Sequence, residues 1–339
     1  MKPVTIQDIA KVAKVSKSTV SRVLNGSAGV RPDKRKAILD ATQRLGFQPN
    51  VVARSLANGR SMTIGVLTQN IGSPFYDAIS QGVIVGLQNS SYSPIFMDGQ
   101  WERTSEITAI GALLGRRVDG LLLIGGVLSE KDISRVCKDL PTIVIARQLP
   151  KLKIPCIFVD NVDGGYVATQ HLIEHGHRRI AFIQGLAQHQ DAIDRFAGYS
   201  RALKEAGIEL NRRLLLEGDF TAAKAECSVT RLCESKLKFT AIFAANDASA
   251  FGARLALYRR NIRVPDEVSI VGFDDQMESA FLTPPLTTVR QPAQEMGNLA
   301  SQALLEMLNG QAFKSQLLKG SLQIRESVAR LKTSSNNRA

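Results

Sequence analysis

Apolar positions recur at helical spacing near the start of the chain and then give way to short β-rich runs. Ile6, Ile9, Ala10 and Ala13 fall on one helical face. After the break "KVSK", Val20, Val23 and Leu24 form a second face, and Ile38, Ala41 and Leu45 mark a third. The punctuation agrees with this spacing. Thr5 followed by Asp8 predicts an N-cap with an acidic first turn. Ser16 is placed to cap the second helix, and Asn25-Gly26 to stop it. Pro32 suits the first position of a third helix, which Gly46 ends.

From Met62 the rhythm changes. "TIGVLT", "SPIFMD", "DGLLLIG", "PTIVIA", "CIFVD", "RRIAFIQG", "TAIFAAND" and "VSIVGFDD" are apolar runs separated by helix-length segments. They predict buried parallel strands joined by helices. Several runs end in polar residues, namely Asp98, Asp160, Asn246-Asp247 and Asp274-Asp275. In open α/β sheets, ligands bind beyond the carboxyl ends of strands. Carboxylates and amides gathered there favour a small molecule rich in hydroxyls, although each Asp taken singly also reads as a helix cap or a solvated loop residue.

A length of 339 residues calls for two or three domains. The net charge is +12, and its distribution matters more than its size. Residues 1–60 hold twelve Lys/Arg against three Asp/Glu, a net of +9, which leaves +3 for the remainder. A basic head on a nearly neutral body suggests a polyanionic partner. The other reading, a solubilising tail, fits poorly with a head that is periodic in apolar residues. Cys137, Cys156, Cys227 and Cys233 show no metal-ligand spacing and are expected to be reduced thiols. "MKPVTIQDIAKVAK" lacks the apolar stretch of a signal peptide, and "GLLLIGGVL" is too short to span a bilayer. A cytoplasmic protein without a membrane partner is expected.

Motifs for dinucleotide, P-loop or hydrolase chemistry are missing, and no nucleophile–base pair is evident. No enzyme activity and no cofactor are expected, the competing class being an α/β enzyme with a DNA-targeting head. His171 and His175 lie one helical turn apart, but Gly176 breaks the helix before His177, so capping is favoured over a metal.

Two short helices with a tight turn, braced by a third, make a helix-turn-helix. Lys17, Ser18, Ser21 and Arg22 are left on the outer edge of the second helix. Its N-terminus can sit on phosphates, and Arg22 can contact guanine with two prongs. The competing reading is a plain three-helix bundle with a solvated face. "PNVVARSLANGRS" then places Val52, Ala53, Leu56 and Ala57 at helical spacing in a segment too short to be stable alone. It reads either as a helix ordered by DNA or a partner, with Leu56 wedged between base steps, or as a mobile tether.

"TIQDIAKVAKVSKSTVSRVLNG", "LGFQPNVVARSLANGRS", "IGVLTQNIGSPFY", "HLIEHGHRRIAFIQG", "DRFAGYSRAL", "NDASAFGA", "VPDEVSIVGFDD" and "PPLTTVRQP" together resemble the LacI/GalR family of bacterial repressors from about residue 3 to 329. The resemblance implies an N-terminal all-α helix-turn-helix domain (1–48), a hinge helix (49–61) and a periplasmic-binding-protein-like α/β core (62–339). The core would comprise two doubly wound parallel-sheet lobes, the first about 62–160 with 291–320, the second about 161–290 with 321–331. It implies a homodimer on pseudo-palindromic operator DNA, and the polar tail without a leucine heptad favours a dimer over a tetramer. Thr5, Ser16 and Asn25 match phosphate-contacting or capping positions, while Lys17, Ser18, Ser21 and Arg22 match base-reading ones. Asn50, Ala53 and Leu56 match the hinge helix. Phe75, Tyr76, Asp191, Arg195, Phe220, Asn246, Asp274 and Gln291 match ligand-contacting positions. One departure stands out: after "PTIVI" the family usually has Asp or Asn, whereas this chain has Ala146 and then Arg147, a candidate replacement contact. The implied function is a ligand-responsive repressor of sugar-metabolism genes with a sugar effector, and the wording leans towards galactose repressors. The alternative is a non-sugar corepressor, a purine or a phosphorylated metabolite.

Overall fold

The computed structural model describes residues 4–24, 29–47, 59–138 and 140–331. The chain divides into two units, Met1–Thr63 and Ile64–Ala339. In the first, α1 (Ile6–Val12), α2 (Lys17–Leu24) and α3 (Pro32–Arg44) follow the predicted periodicity. The Asp8 carboxylate accepts hydrogen bonds from the Thr5 N–H at 2.9 Å and the Thr5 hydroxyl at 2.7 Å, which closes the start of α1. The Ser16 hydroxyl accepts from the Thr19 N–H at 3.3 Å at the start of α2. Gly46, at φ +61°, turns the chain out of α3, and the Phe47 N–H returns to the Thr42 carbonyl at 3.0 Å. Ile9, Val20 and Ile38 meet with no exposed surface. Each contributes roughly 1.5–3 kcal/mol by burial.

The second unit holds two six-stranded sheets. One contains β1 (Thr63–Thr68), β2 (Ser93–Asp98), β3 (Gly120–Ile124), β4 (Thr142–Ile145), β5 (Cys156–Val159) and, late in the chain, β11 (Gln316–Leu318). Its order is β11-β5-β4-β3-β1-β2. The other contains β6 (Ile180–Ile183), β7 (Leu215–Leu216), β8 (Ala241–Ala244), β9 (Ser269–Asp274), β10 (Thr287–Arg290) and β12 (Ser321–Gln323). Its order is β12-β10-β9-β8-β6-β7, parallel except where β12 runs antiparallel to β10. β3, β6 and β8 are buried at every position, as continuous apolar runs in a sheet covered on both faces require.

Helices cover both faces. On the first sheet, α4 (Pro74–Leu87), α5 (Arg103–Gly115) and α6 (Glu130–Val136) are joined by α11 (Ala293–Leu308). On the second lie α7 (Asn161–Glu174), α8 (Gln190–Glu205), α9 (Ala222–Glu234) and α10 (Asp247–Tyr258). Glycine lets α4 and α11 touch backbone to backbone. A Cβ on Gly82 would lie 2.0 Å from the Gln294 carbonyl oxygen, and one on Gly297 2.0 Å from that of Ile79. The chain passes between the two sheets three times: at Asp160, at Gln291-Pro292 and at Lys319-Gly320. The Asp160 N–H bonds the Leu318 carbonyl at 3.0 Å, so two of these crossings are tied together. Among the described residues no helix is long and apolar enough to cross a membrane. The histidine junction is structural. His175 caps α7 through the His171 carbonyl at 2.8 Å, and His177 reaches Thr240 Oγ1 at 3.0 Å and the Ala329 carbonyl at 3.1 Å.

Candidate functional site: a basic helix edge and a cleft between two sheets

On the head, the apolar positions of α2 turn inward, and Lys17, Ser18 and Arg22 stand exposed with Ser21 half-buried. Lys17 and Arg22 make no ion pair among the described residues. Ser16 Oγ lies 2.8 Å from both Ser18 Oγ and Thr19 Oγ1, so the three hydroxyls form one cluster at the helix start. Thr5 is exposed beside Asp8. Asn25, Asn50, Ala53 and Leu56 lie outside the described residues, as does most of the expected hinge.

In the second unit a cleft of about 770 Å³ opens between the two sheets. Its first wall carries Trp101, the Gly125-Gly126 turn and Arg147; its second carries Asn161, His189, Asp191 and Asp194. Gly125 and Gly126 have φ of +62° and +98°, which bring the chain after β3 over the buried carboxylate of Glu106. That carboxylate accepts the Val127 N–H at 2.8 Å and the Leu128 N–H at 3.2 Å, and burial raises its pKa. Arg147 donates to the Gly126 carbonyl at 3.0 Å.

The walls meet through an aromatic row. Phe75 sits behind Tyr76 with ring centres 5.2 Å apart, and Tyr76 meets the edge of Trp101 at 5.5 Å. Trp101 lies on His189 at 4.2 Å, and His189 faces Phe220 at 5.9 Å. His189 is 8% exposed; burial lowers its pKa and Asp191 opposes that shift, so the ring is held neutral at pH 7.

Beyond the cleft the second sheet carries a buried polar cluster. Arg195, 3% exposed, donates to Asn161 Oδ1 at 2.9 Å and to the Ala245 carbonyl at 2.6 Å. Its guanidinium lies 3.8 Å from the Phe273 ring centre and 3.8 Å from Asp274 Oδ1. Asp274 also accepts from Gln291 Nε2 at 2.7 Å. Burial pushes its carboxyl up to about 6, against the opposing pull of Arg195 and Gln291. Asp274 and Asp275 both adopt positive φ, 116° and 58°. The turn is clamped on each side. Asp275 pairs with Arg290 and Arg325 at 2.6 Å each, while Asp247 accepts from the Gln276 N–H at 2.8 Å and from the Ser279 and Thr288 hydroxyls at 2.6 Å each.

Arg147 and Asp191 therefore line the cleft directly. Tyr76 and Phe220 flank its aromatic row, and Arg195, Asp274 and Gln291 form one connected group. Asn246 is engaged locally: its Oδ1 accepts the Ser249 N–H at 2.9 Å to cap α10, and its Nδ2 donates to the Phe220 carbonyl at 3.0 Å. Trp101, His189, Asn161 and Asp194 were not among the expected contacts. Trp101 follows the carboxyl end of β2, so the strand-end rule reaches it.

Residues 5–50 match a family described as bacterial regulatory proteins, lacI family, and residues 169–328 match a periplasmic binding protein-like domain. The catabolite control protein A of Priestia megaterium is 33% identical over 318 residues, spanning 93% of this chain and 96% of that protein. The structure of a lac repressor dimer bound to operator and an anti-inducer is similar at a TM-score of 0.87 and 30% identity, covering 97% of this chain and 100% of that one. A CelR–cellobiose complex is similar at a TM-score of 0.72 and 32% identity, covering 96% and 99%.

Proposed function

The chain belongs to the LacI family of bacterial regulatory proteins, and on that premise we propose that it represses transcription under the control of a small effector held between the two sheets. Its work is regulation of transcription, not catalysis. The observation that carries the reading is the outer edge of α2, where Lys17, Ser18 and Arg22 stand exposed, Lys17 and Arg22 without an ion pair among the described residues, while the apolar side is packed. A free guanidinium on a helix narrow enough for the major groove reads guanine with two hydrogen bonds. In a homodimer, two such helices read the half-sites of a pseudo-palindrome, and phosphate contacts make affinity salt-dependent. The protein would act in the cytoplasm, on the nucleoid.

The effector is a hydroxyl-bearing sugar. Asp191 and Asp194 lie one helical turn apart on α8, and burial together with Asp191 and Asp160 raises the pKa of Asp194. Such carboxylates accept hydroxyl hydrogens well, and a solved relative holds cellobiose. Behind them, Arg195 and Asp274 orient the wall. Control follows from differential binding: an effector that prefers one arrangement of the two sheets shifts DNA affinity by that preference and no more. The experiment is a mobility-shift titration on a duplex selected from a random pool. A sugar should change wild-type binding, while Asp274→Ala should bind the duplex normally and lose the response. A normal response in Asp274→Ala would remove this site from the account.

A further inference from the structure

Arg147 lines the cleft with no carboxylate in hydrogen-bond contact among the described residues. It is half-buried, and burial lowers its pKa. The carboxylates that act on it through space are Glu106, Glu130 and Asp191, in that order, and none forms an ion pair with it among the described residues. Each is engaged elsewhere or set apart. Glu106 faces the Val127 and Leu128 N–H groups, and Glu130 accepts the Lys151 N–H at 3.2 Å. Asp191 belongs to the opposite wall. The only hydrogen bond described for the guanidinium goes to the Gly126 carbonyl, so most of its planar donor fork is left over. By contrast, Arg195 in the same unit has Asp274 beside it.

A partly desolvated guanidinium whose counter-charges stay out of hydrogen-bond contact is poorly compensated, and the cost grows when a bound ligand expels the remaining water. An acidic group on the ligand removes it, because carboxylate and phosphate oxygens match the guanidinium fork in two-pronged pairs. The opposite wall excludes an anion: Asp160, Asp191 and Asp194 repel it but accept hydroxyl hydrogens. The cleft is thus polarised, with one cationic place and one hydroxyl-seeking wall.

We propose that the effector is an anionic sugar derivative whose carboxylate or phosphate docks on Arg147 while its hydroxyls face Asp191 and Asp194. This rests on the effector reading above and sharpens it.

The test is calorimetric titration of the full-length protein with matched sets: galactose, galacturonate and galactose 6-phosphate; glucose, gluconate and glucose 6-phosphate; ribose and ribose 5-phosphate. At least one acid should bind about tenfold or more tighter than its neutral parent. Whether that acid is a carboxylate or a phosphate decides which group the fork takes. Arg147→Gln should abolish the advantage, and Arg147→Lys should keep part of it, since a point charge remains without the fork. If a neutral sugar binds as tightly as its acid derivatives, or the advantage survives Arg147→Gln, the proposal fails while the sugar-effector reading stands. If no compound in the panel binds, both fail.

Discussion

Asp247 has no exposed surface, and its carboxylate anchors the turn that carries Asp274. Burial, reinforced by the nearby charge of Asp274, pushes its carboxyl up from the ordinary 3.8 to about 7, although the Ser279 and Thr288 hydroxyls and the Gln276 N–H pull the other way. The folded protein therefore holds this proton more tightly than the unfolded chain does. Stability from this group is complete below the unfolded pKa and is lost as pH rises through about 7. At 1.36 kcal/mol per unit the loss is on the order of 4 kcal/mol, of which about 3 kcal/mol falls between about pH 5 and pH 8. Asp247→Asn removes the titration. Asp274, pushed up to about 6, titrates in the same range in both proteins, so the difference between wild type and variant is the quantity to follow. Thermal unfolding across that pH range should show the wild type losing roughly 6–10 °C relative to Asp247→Asn on going alkaline. A difference that stays flat with pH would refute the assignment of a protonated, buried Asp247.

Arg22→Ala should cost about 1–3 kcal/mol of discrimination at the base pair it reads, measured by competition between selected and substituted duplexes. Gly297→Ala drives a Cβ into the Ile79 carbonyl and should destabilise by about 1–3 kcal/mol; Gly111→Ala, on an open face of α5, should be neutral or mildly stabilising. Trp101 is the chain's single tryptophan. In His189→Ala the indole loses the ring that covers it, so its emission should shift to longer wavelength, and an unshifted spectrum would contradict that contact.

The head was legible in the sequence because its signals are local. Thr5 with Asp8, Ser16, Pro32 and Gly46 mark the helix ends, and the apolar spacing between them names the core. The long strands were legible for the same reason, as unbroken apolar runs. The short strands β7, β11 and β12 span only two or three residues and carry no period to detect. The cleft is legible only in part. Asp191 stands in a recognisable motif and Arg147 stands out as a departure from one, but the Trp101–His189 contact joins residues from two sheets, and no local pattern encodes it. Asn246 shows a second limit. A short amide at the start of a helix finds the backbone first, and here the cap takes its oxygen. Glu106 would pass for an ordinary helix-surface acid; only its two backbone donors reveal that it shapes the loop beneath the cleft.

The central claim is that occupancy of the cleft and grip on DNA are coupled. Linkage tests it most directly: measure the affinity of the full-length protein for a selected palindromic duplex with and without the sugar derivative that binds best, then the affinity for that compound with and without the duplex. The account predicts equal factors in the two experiments, both at least about fivefold. Two factors of one, with tight binding of each partner, would contradict it.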